Sequence, residues 1–260
     1  MDTISMNNKR ILITAGAAGL GKAFVKAFLK AGARVHICDV DEKALAGLLQ
    51  EHPTVTATVC DVSNLKQVDL MFDDIKEQLG GLDVLVNNAG ISGPPFTKVE
   101  AIEPADWERT MAVNINGQFF CVRRAVPMIK AAGGGAIINM SSVAGRLGYP
   151  LRTPYSSSKW AVVGFTQSLA MELGPDNIRV NCLQPGFVDG PRSRRLRQEQ
   201  AAALGETVEQ CEARMFAKTS MRQRVDADEV AGMALFLASD AGRHITGQSL
   251  SVCGGVETLR

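Results

Sequence analysis

None of the six cysteines (Cys38, Cys60, Cys121, Cys182, Cys211, Cys253) stands in C-x-x-C spacing. A disulfide framework or a zinc ribbon is therefore not expected, and reduced thiols of a cytoplasmic protein are. Only three histidines occur, none in an H-E-x-x-H arrangement, so no metal is expected. No apolar run is long enough to cross a bilayer, and the polar stretch Met1–Arg10 has no signal-peptide pattern. Net charge is close to balance, at +1 over 260 residues, which gives no reason to expect nucleic acid as a partner. No repeat or low-complexity linker divides the chain, so residues 1–260 read as one domain large enough to bury a substantial core.

What is present is an alternation. Arg10–Thr14 is a short apolar run suited to a buried strand, followed by a glycine-rich turn, Ala15-Gly16-Ala17-Ala18-Gly19-Leu20-Gly21, and a helical pattern through Phe24, Val25, Phe28 and Leu29. Strand, turn and helix N-terminus form a site for a phosphate group: small residues admit the backbone, and free N–H groups with the helix dipole favour an anion. The spacing is G-x-x-G-x-G rather than G-x-G-x-x-G. Arg34–Cys38 reads as the second strand, ending at Asp39 about twenty residues beyond the turn, where a carboxylate accepts hydrogen bonds from an adenosine ribose. Neither Ala18 nor Val40 offers a positive charge to hold a 2′-phosphate, which favours NAD over NADP. Asp39 could instead cap the next helix, a task open equally to Asp41.

Strands follow at Val55–Val59, Val84–Val86, Ala136–Met140, Ile178–Leu183 and Ser249–Val252. Helices are expected over Leu65–Leu79, about Ala105 to Lys130 with a break in character at Asn114–Gly117, Tyr155–Glu172 and Val230–Ala238. Continuously apolar strands separated by helices predict an α/β fold, a doubly wound parallel sheet of about seven strands covered on both faces. Ligands of such sheets lie outside the strand C-terminal ends, the edge where Gly16, Asp39, Asp61, Asn87, Ser142 and Pro185 fall.

Tyr155 and Lys159 are four apart on a helix and share a face. A phenol of pKa about 10 is a poor base near neutrality, and an adjacent cation favours its ionised form. A Ser142 hydroxyl can orient a substrate oxygen beside them. On its own, Y-x-x-x-K is a common pattern of helix surfaces, and the residues around it are what point to chemistry.

Taken in order, Thr14–Gly21, Asp61-Val62, Asn87-Asn88-Ala89-Gly90, Asn114, Ser142, Tyr155 with Lys159, and Pro185-Gly186 make the chain resemble the short-chain dehydrogenases/reductases along essentially its whole length. The resemblance implies a Rossmann-type sheet and hydride transfer between a secondary alcohol or ketone and a nicotinamide cofactor, which the Asp39 reading makes NAD. It implies Tyr155 as acid/base, Ser142 positioning the substrate, Lys159 holding the nicotinamide ribose, and Asn114 supporting a water-mediated proton path. Cofactor contacts are implied at Gly16, Ala18, Gly19, Leu20, Gly21, Asp39, Val40, Asp61 and Val62 (the adenine side), Asn87, Ala89, Gly90, Pro185, Gly186 and Val188. Asn88 is expected to brace the sheet. It implies, finally, a homotetramer or homodimer and a substrate lid at about 188–224.

Three departures stand out. Ala15 occupies a position usually held by glycine, Gly190 stands where the family carries a cofactor-contacting threonine, and Cys253-Gly254-Gly255 replaces Asp-Gly-Gly. The lid segment 190–224 carries seven arginines and one lysine against four glutamates. Arg192 and Arg195 in it, with Arg146 and Arg152 between Ser142 and Tyr155, could grip an anionic substrate. The lid arginines could equally pair with Glu199, Glu206, Glu209 and Glu212. The substrate expected is a small polar or anionic alcohol: a sugar, polyol or hydroxy acid. A 3-oxoacyl thioester reductase is the alternative, and a non-catalytic sensor of NAD is the rival from outside enzymes.

Overall fold

The computed structural model describes residues 4–256, without the side chains of 191 and 192. Its centre is a seven-stranded sheet in the order β3-β2-β1-β4-β5-β6-β7, every pairing parallel. The strands are β1 (Arg10–Thr14), β2 (Arg34–Asp39), β3 (Thr56–Val59), β4 (Val84–Asn87), β5 (Gly135–Met140), β6 (Ile178–Pro185) and β7 (Ser249–Val252). The central strands β1, β4 and β5 are buried almost throughout, which explains why their sequences are continuously apolar rather than alternating.

Helices α1 (Gly19–Lys30) and α2 (Glu42–Glu51) follow the first two strands, and Asp41 caps α2 by accepting from Lys43 N and Ala44 N at 3.1 and 3.0 Å. That leaves the Asp39 carboxylate for other work. Helix α3 (Leu65–Leu79) closes the β3–β4 crossover. The long helical stretch beyond β4 is three pieces: α4 (Pro104–Met111), a π-helical turn (Ala112–Asn116) and α5 (Gly117–Ala131). A wide turn inside an α-helix often marks a functional position, and this one carries Asn114. Helix α6 (Thr153–Leu173) follows β5. Beyond β6 lie α7 (Pro191–Leu204), α8 (Val208–Phe216) and α9 (Ala227–Ala238).

One core packs Phe24 and Phe28 of α1 and Val230 and Leu237 of α9 against Ile11, Ile13 and Val86. The other packs Phe72 and Ile75 of α3 and Cys121 and Ile129 of α5 against Leu12 and Leu85 on the opposite face. Because β1 neighbours both β2 and β4, the sheet order reverses beside it and leaves a crevice at the strand C-terminal ends. Among the described residues no helix is long and apolar enough to cross a membrane.

Candidate active site

That crevice is a cleft of about 500 Å³. Its floor begins where β1 ends. Thr14 Oγ1 accepts from Asn88 N and Ala89 N, each at 2.9 Å, and Asn88 Nδ2 donates to the carbonyls of Thr14 and Ala15 at 3.0 Å. Asn88 thus fixes the turn that enters α1 while also bordering the cleft. Ala15 is held at φ +51° and Gly19 at φ +52°, a region that costs any residue with a Cβ. A Cβ on Gly21 would collide with the Ala15 carbonyl, whereas one on Gly19 would meet nothing within 4 Å and would project into the open space.

Ala18 at the N-cap places no side-chain hydrogen bond on the helix end, and the first turn of α1 carries no acid. This cradle fits a phosphate. Asp39, at the end of β2, accepts from Ala17 N and Asp41 N, both at 3.2 Å, and turns its carboxylate to the same cleft. Backbone cradle and carboxylate together fit the phosphates and ribose of a dinucleotide.

The opposite wall is α6. Lys159 is buried, its Nζ donates to Met140 O at 2.8 Å and lies 5.7 Å from the centre of the Tyr155 ring. Two serines lock α6 to the segment after β5: Ser141 Oγ donates to Lys159 O and Ser156 Oγ to Ala144 O, both at 2.8 Å. Between them Ser142, extended at φ −170°, accepts from Ala144 N at 3.2 Å and borders the cleft with Tyr155 and Lys159.

Asn114 is fully buried behind this wall. It accepts from Ile91 N at 2.8 Å and donates to Ile91 O and Ser158 Oγ at 2.9 Å, while Ser158 Oγ donates to Tyr155 O at 2.7 Å. A Cβ on Gly90 would stand 3.3 Å from Asn114 Oδ1 and 3.4 Å from Lys159 Nζ, so a side chain there would crowd Asn114 by a few tenths of an ångström.

Of the other expected cofactor contacts, Ala18, Leu20, Pro185, Gly186 and Val188 line the cleft; Gly16, Val40, Asp61, Val62, Asn87 and Ala89 do not. Gly16 packs against Ile37, with its N–H on Cys38 O, and Val40 faces outward. Val62 is buried against Gly117 of α5. Asn87 donates across the sheet to Asn139 Oδ1 at 2.9 Å. Asp61 is held by Ser63 and by Arg109, whose Nη2 lies 2.9 Å away. Burial raises the Asp61 pKa, but these partners outweigh it and keep the carboxyl below the usual range.

The arginines divide as well. Arg195 is exposed and pairs with Glu199 at 3.6 Å, and Arg146 reaches Ser251 Oγ at 3.2 Å. Neither borders the cleft, whereas Arg152 does. The side chain of Arg192 lies outside the described residues. Arg214 pairs with Glu206, and buried Arg197 bridges Asp189 at 2.9 Å and Glu212 at 2.7 Å. The positive balance of the lid is thus spent largely on internal ion pairs with Glu199, Glu206, Glu212 and Asp189.

The bridge Val188↔Val225 closes the base of the α7–α8 insert, and Phe187 meets Phe216 edge-on at 6.3 Å. Phe96, Val143, Tyr149, Phe187, Leu196 and Met215 give the cleft apolar walls. Their scattered positions carried no signal in the sequence. Among the described residues no group of three His, Cys, Asp or Glu is placed to hold a metal ion.

Residues 15–257 match the family model described as "Enoyl-(Acyl carrier protein) reductase". Momilactone A synthase of Oryza sativa subsp. japonica is 37% identical, with 99% of this chain and 93% of that protein covered. Galactitol 2-dehydrogenase of Agrobacterium fabrum is 36% identical, covering 96% and 98%. The 3alpha-hydroxysteroid dehydrogenase of Mediterraneibacter gnavus is 34% identical, covering 97% and 98%. An actinorhodin polyketide ketoreductase variant crystallised with NADPH superimposes with a TM-score of 0.91 at 30% identity, covering 95% of this chain and 97% of the other. Fold, cleft and likeness agree: this chain belongs to the short-chain dehydrogenase/reductase family of oxidoreductases.

Proposed function

We propose that this chain is an NAD-dependent oxidoreductase interconverting a cyclic secondary alcohol and its ketone. One observation carries the reading: a single cleft joins the Asp39 carboxylate at one end to Ser142, Tyr155 and Lys159 at the other. NAD, when bound, supplies the hydride acceptor. Glycines 19 and 21 and the N-terminus of α1 would hold its phosphates, Asp39 its adenosine ribose and Lys159 its nicotinamide ribose. Tyr155 removes the alcohol proton as the carbon loses hydride, and Ser142 holds the oxygen in line.

Asp39 supports NAD over NADP because a carboxylate repels a 2′-phosphate at the position where it would receive a ribose hydroxyl. The NADPH of the ketoreductase structure belongs to that protein. For the substrate, the aromatic walls Phe96, Tyr149 and Phe187 suit the C–H face of a ring, and sugar and steroid alcohols both present one. The named activities of the sugar-alcohol and steroid relatives fit that breadth. A hydroxy acid has less support, since Arg152 is the one of the four expected anion-gripping arginines found lining the cleft. The exposed apolar side chains of Trp107, Phe119, Trp160 and Met171 on α4–α6 support a homotetramer or homodimer.

The test is a panel of ring-bearing alcohols, hydroxy acids and 3-oxoacyl thioesters assayed with NAD and NADP separately, with Tyr155→Phe as control. Turnover of ring alcohols with NAD, lost in Tyr155→Phe at unchanged NAD affinity, is expected. Preference for NADP, or an active Tyr155→Phe, overturns the reading, and binding without turnover of any member would indicate a sensor.

A further inference from the structure

Arg152 stands at the N-cap of α6, three residues before Tyr155. It is 7% exposed, an unusual location for a guanidinium. Its Nη2 donates to Ser92 O at 3.1 Å on the loop beyond β4, which aims the head inward. The guanidinium carbon lies 5.0 Å from the centre of the Tyr155 ring, nearer than the 5.7 Å of Lys159 Nζ. The Tyr155 ring therefore has two cations within about 6 Å of its centre.

We propose that Arg152 is a positioning residue for Tyr155, a second cation stacked on the phenol that fixes its ring and favours its ionised form. This rests on Tyr155 being the acid/base group of the proposed reaction. Arginine suits such a place better than a second lysine. It remains charged at any working pH, its flat head stacks on an aromatic face, and it is less strongly hydrated than an ammonium. The electrostatic sense is fixed: opposite charge within about 4–6 Å favours the charged form of an acid.

Among the described residues, the other charged groups that line the cleft come from three elements. From α6 itself comes Lys159; from the insert come Asp189 and Arg197, bound to each other at 2.9 Å; and Asp39 stands at the adenosine end. From the segment after β5 the neighbours are Ser141, Ser142 and Tyr149. The position of Arg152 next to the reacting group, rather than its availability to a substrate, is what the geometry supports.

The chain has two tyrosines, Tyr149 and Tyr155, so phenolate absorbance can follow Tyr155 directly, with no substrate and no cofactor. The experiment titrates the full-length protein, Arg152→Gln, Arg152→Lys and Tyr155→Phe, the last assigning the Tyr149 signal. In the parent protein one phenol should ionise well below about 10. In Arg152→Gln its midpoint should rise by about one pH unit, and Arg152→Lys should stay near the parent value. Arg152→Met, which keeps the buried stem, serves if the glutamine variant does not fold.

An unchanged midpoint in the folded, charge-removed variant overturns the proposal. Failure of the underlying reading has a different signature: Tyr155→Phe would remain active, whatever the titration showed.

Discussion

Asn114 Nδ2 donates to Ser158 Oγ at 2.9 Å across 44 residues of chain, and Ser158 passes the link to the backbone of Tyr155. The π-helical turn of Ala112–Asn116 thus reaches helix α6 through one buried amide. Asn114→Ala leaves the part-buried Ile91 N–H and C=O without these partners and takes a hydrogen-bond donor from the fully buried Ser158 hydroxyl. An unsatisfied buried group costs roughly 1–3 kcal/mol, so the denaturant midpoint should fall by the equivalent of about 2 kcal/mol. kcat should fall at least about tenfold while the NAD dissociation constant changes little. Unchanged kcat would remove Asn114 from the working site.

Asp39→Asn keeps an acceptor for Ala17 N but removes the charge. A hydrogen bond to a charged group is worth about 1.5–3 kcal/mol, and about 1.4 kcal/mol is tenfold in affinity. NAD should therefore bind about tenfold more weakly, and NADP more tightly than before. Direct titration of both dinucleotides checks this, and equal NAD affinity in the variant would place the ribose elsewhere.

Ala15 sits at φ +51°, where a Cβ costs roughly 1–2 kcal/mol. Ala15→Gly removes that strain but adds freedom to the unfolded chain, which offsets about 0.4–1 kcal/mol. A net gain of about 0.5–1 kcal/mol is expected, a rise in Tm of roughly 1–4 °C for a chain of this size. A fall in Tm measured by calorimetry would show that the methyl packs usefully.

His36 is buried between Thr56 and Thr58, with ring nitrogens 2.8 and 3.1 Å from their hydroxyls. Burial lowers its pKa to about 4, against a small upward pull from Asp74. The unfolded chain, with histidine near about 6.5, then binds more protons than the folded one between pH 4 and 6.5. The contribution of His36 is present above pH 6.5 and is lost as pH falls toward 4. At about 1.4 kcal/mol per unit, the loss across that window is about 3 kcal/mol. His36→Gln should flatten the dependence of the urea midpoint over this range; an equally steep slope would assign it to other groups.

The strand-helix alternation was legible because each signal is local: an apolar run is buried on both faces wherever it lies in a parallel sheet, and a glycine turn before a helix is contiguous. The same holds for Asp39, which a strand of fixed length must deliver to the C-terminal edge, and for Tyr155 and Lys159, set one helical turn apart. Even the wide turn at Asn114 left a trace, in the Asn-Ile-Asn-Gly interruption of an otherwise continuous helix.

Partnership across the chain was not legible. Asp61 found Arg109, 48 residues away, Val62 found Gly117, and buried Arg197 found Asp189 as well as Glu212. Composition counts charges but does not say which of them meet. Whether Arg152 faced solvent, a substrate or the Tyr155 ring depended on how the start of α6 packs against the loop after β4. The sequence by itself determined the order of elements and the spacing of Tyr155 and Lys159 on one helix face, because both are set within a few residues by backbone geometry. Only the tertiary structure decided which charges are consumed by each other and which remain at the cleft, because that depends on distances between segments that no local pattern encodes.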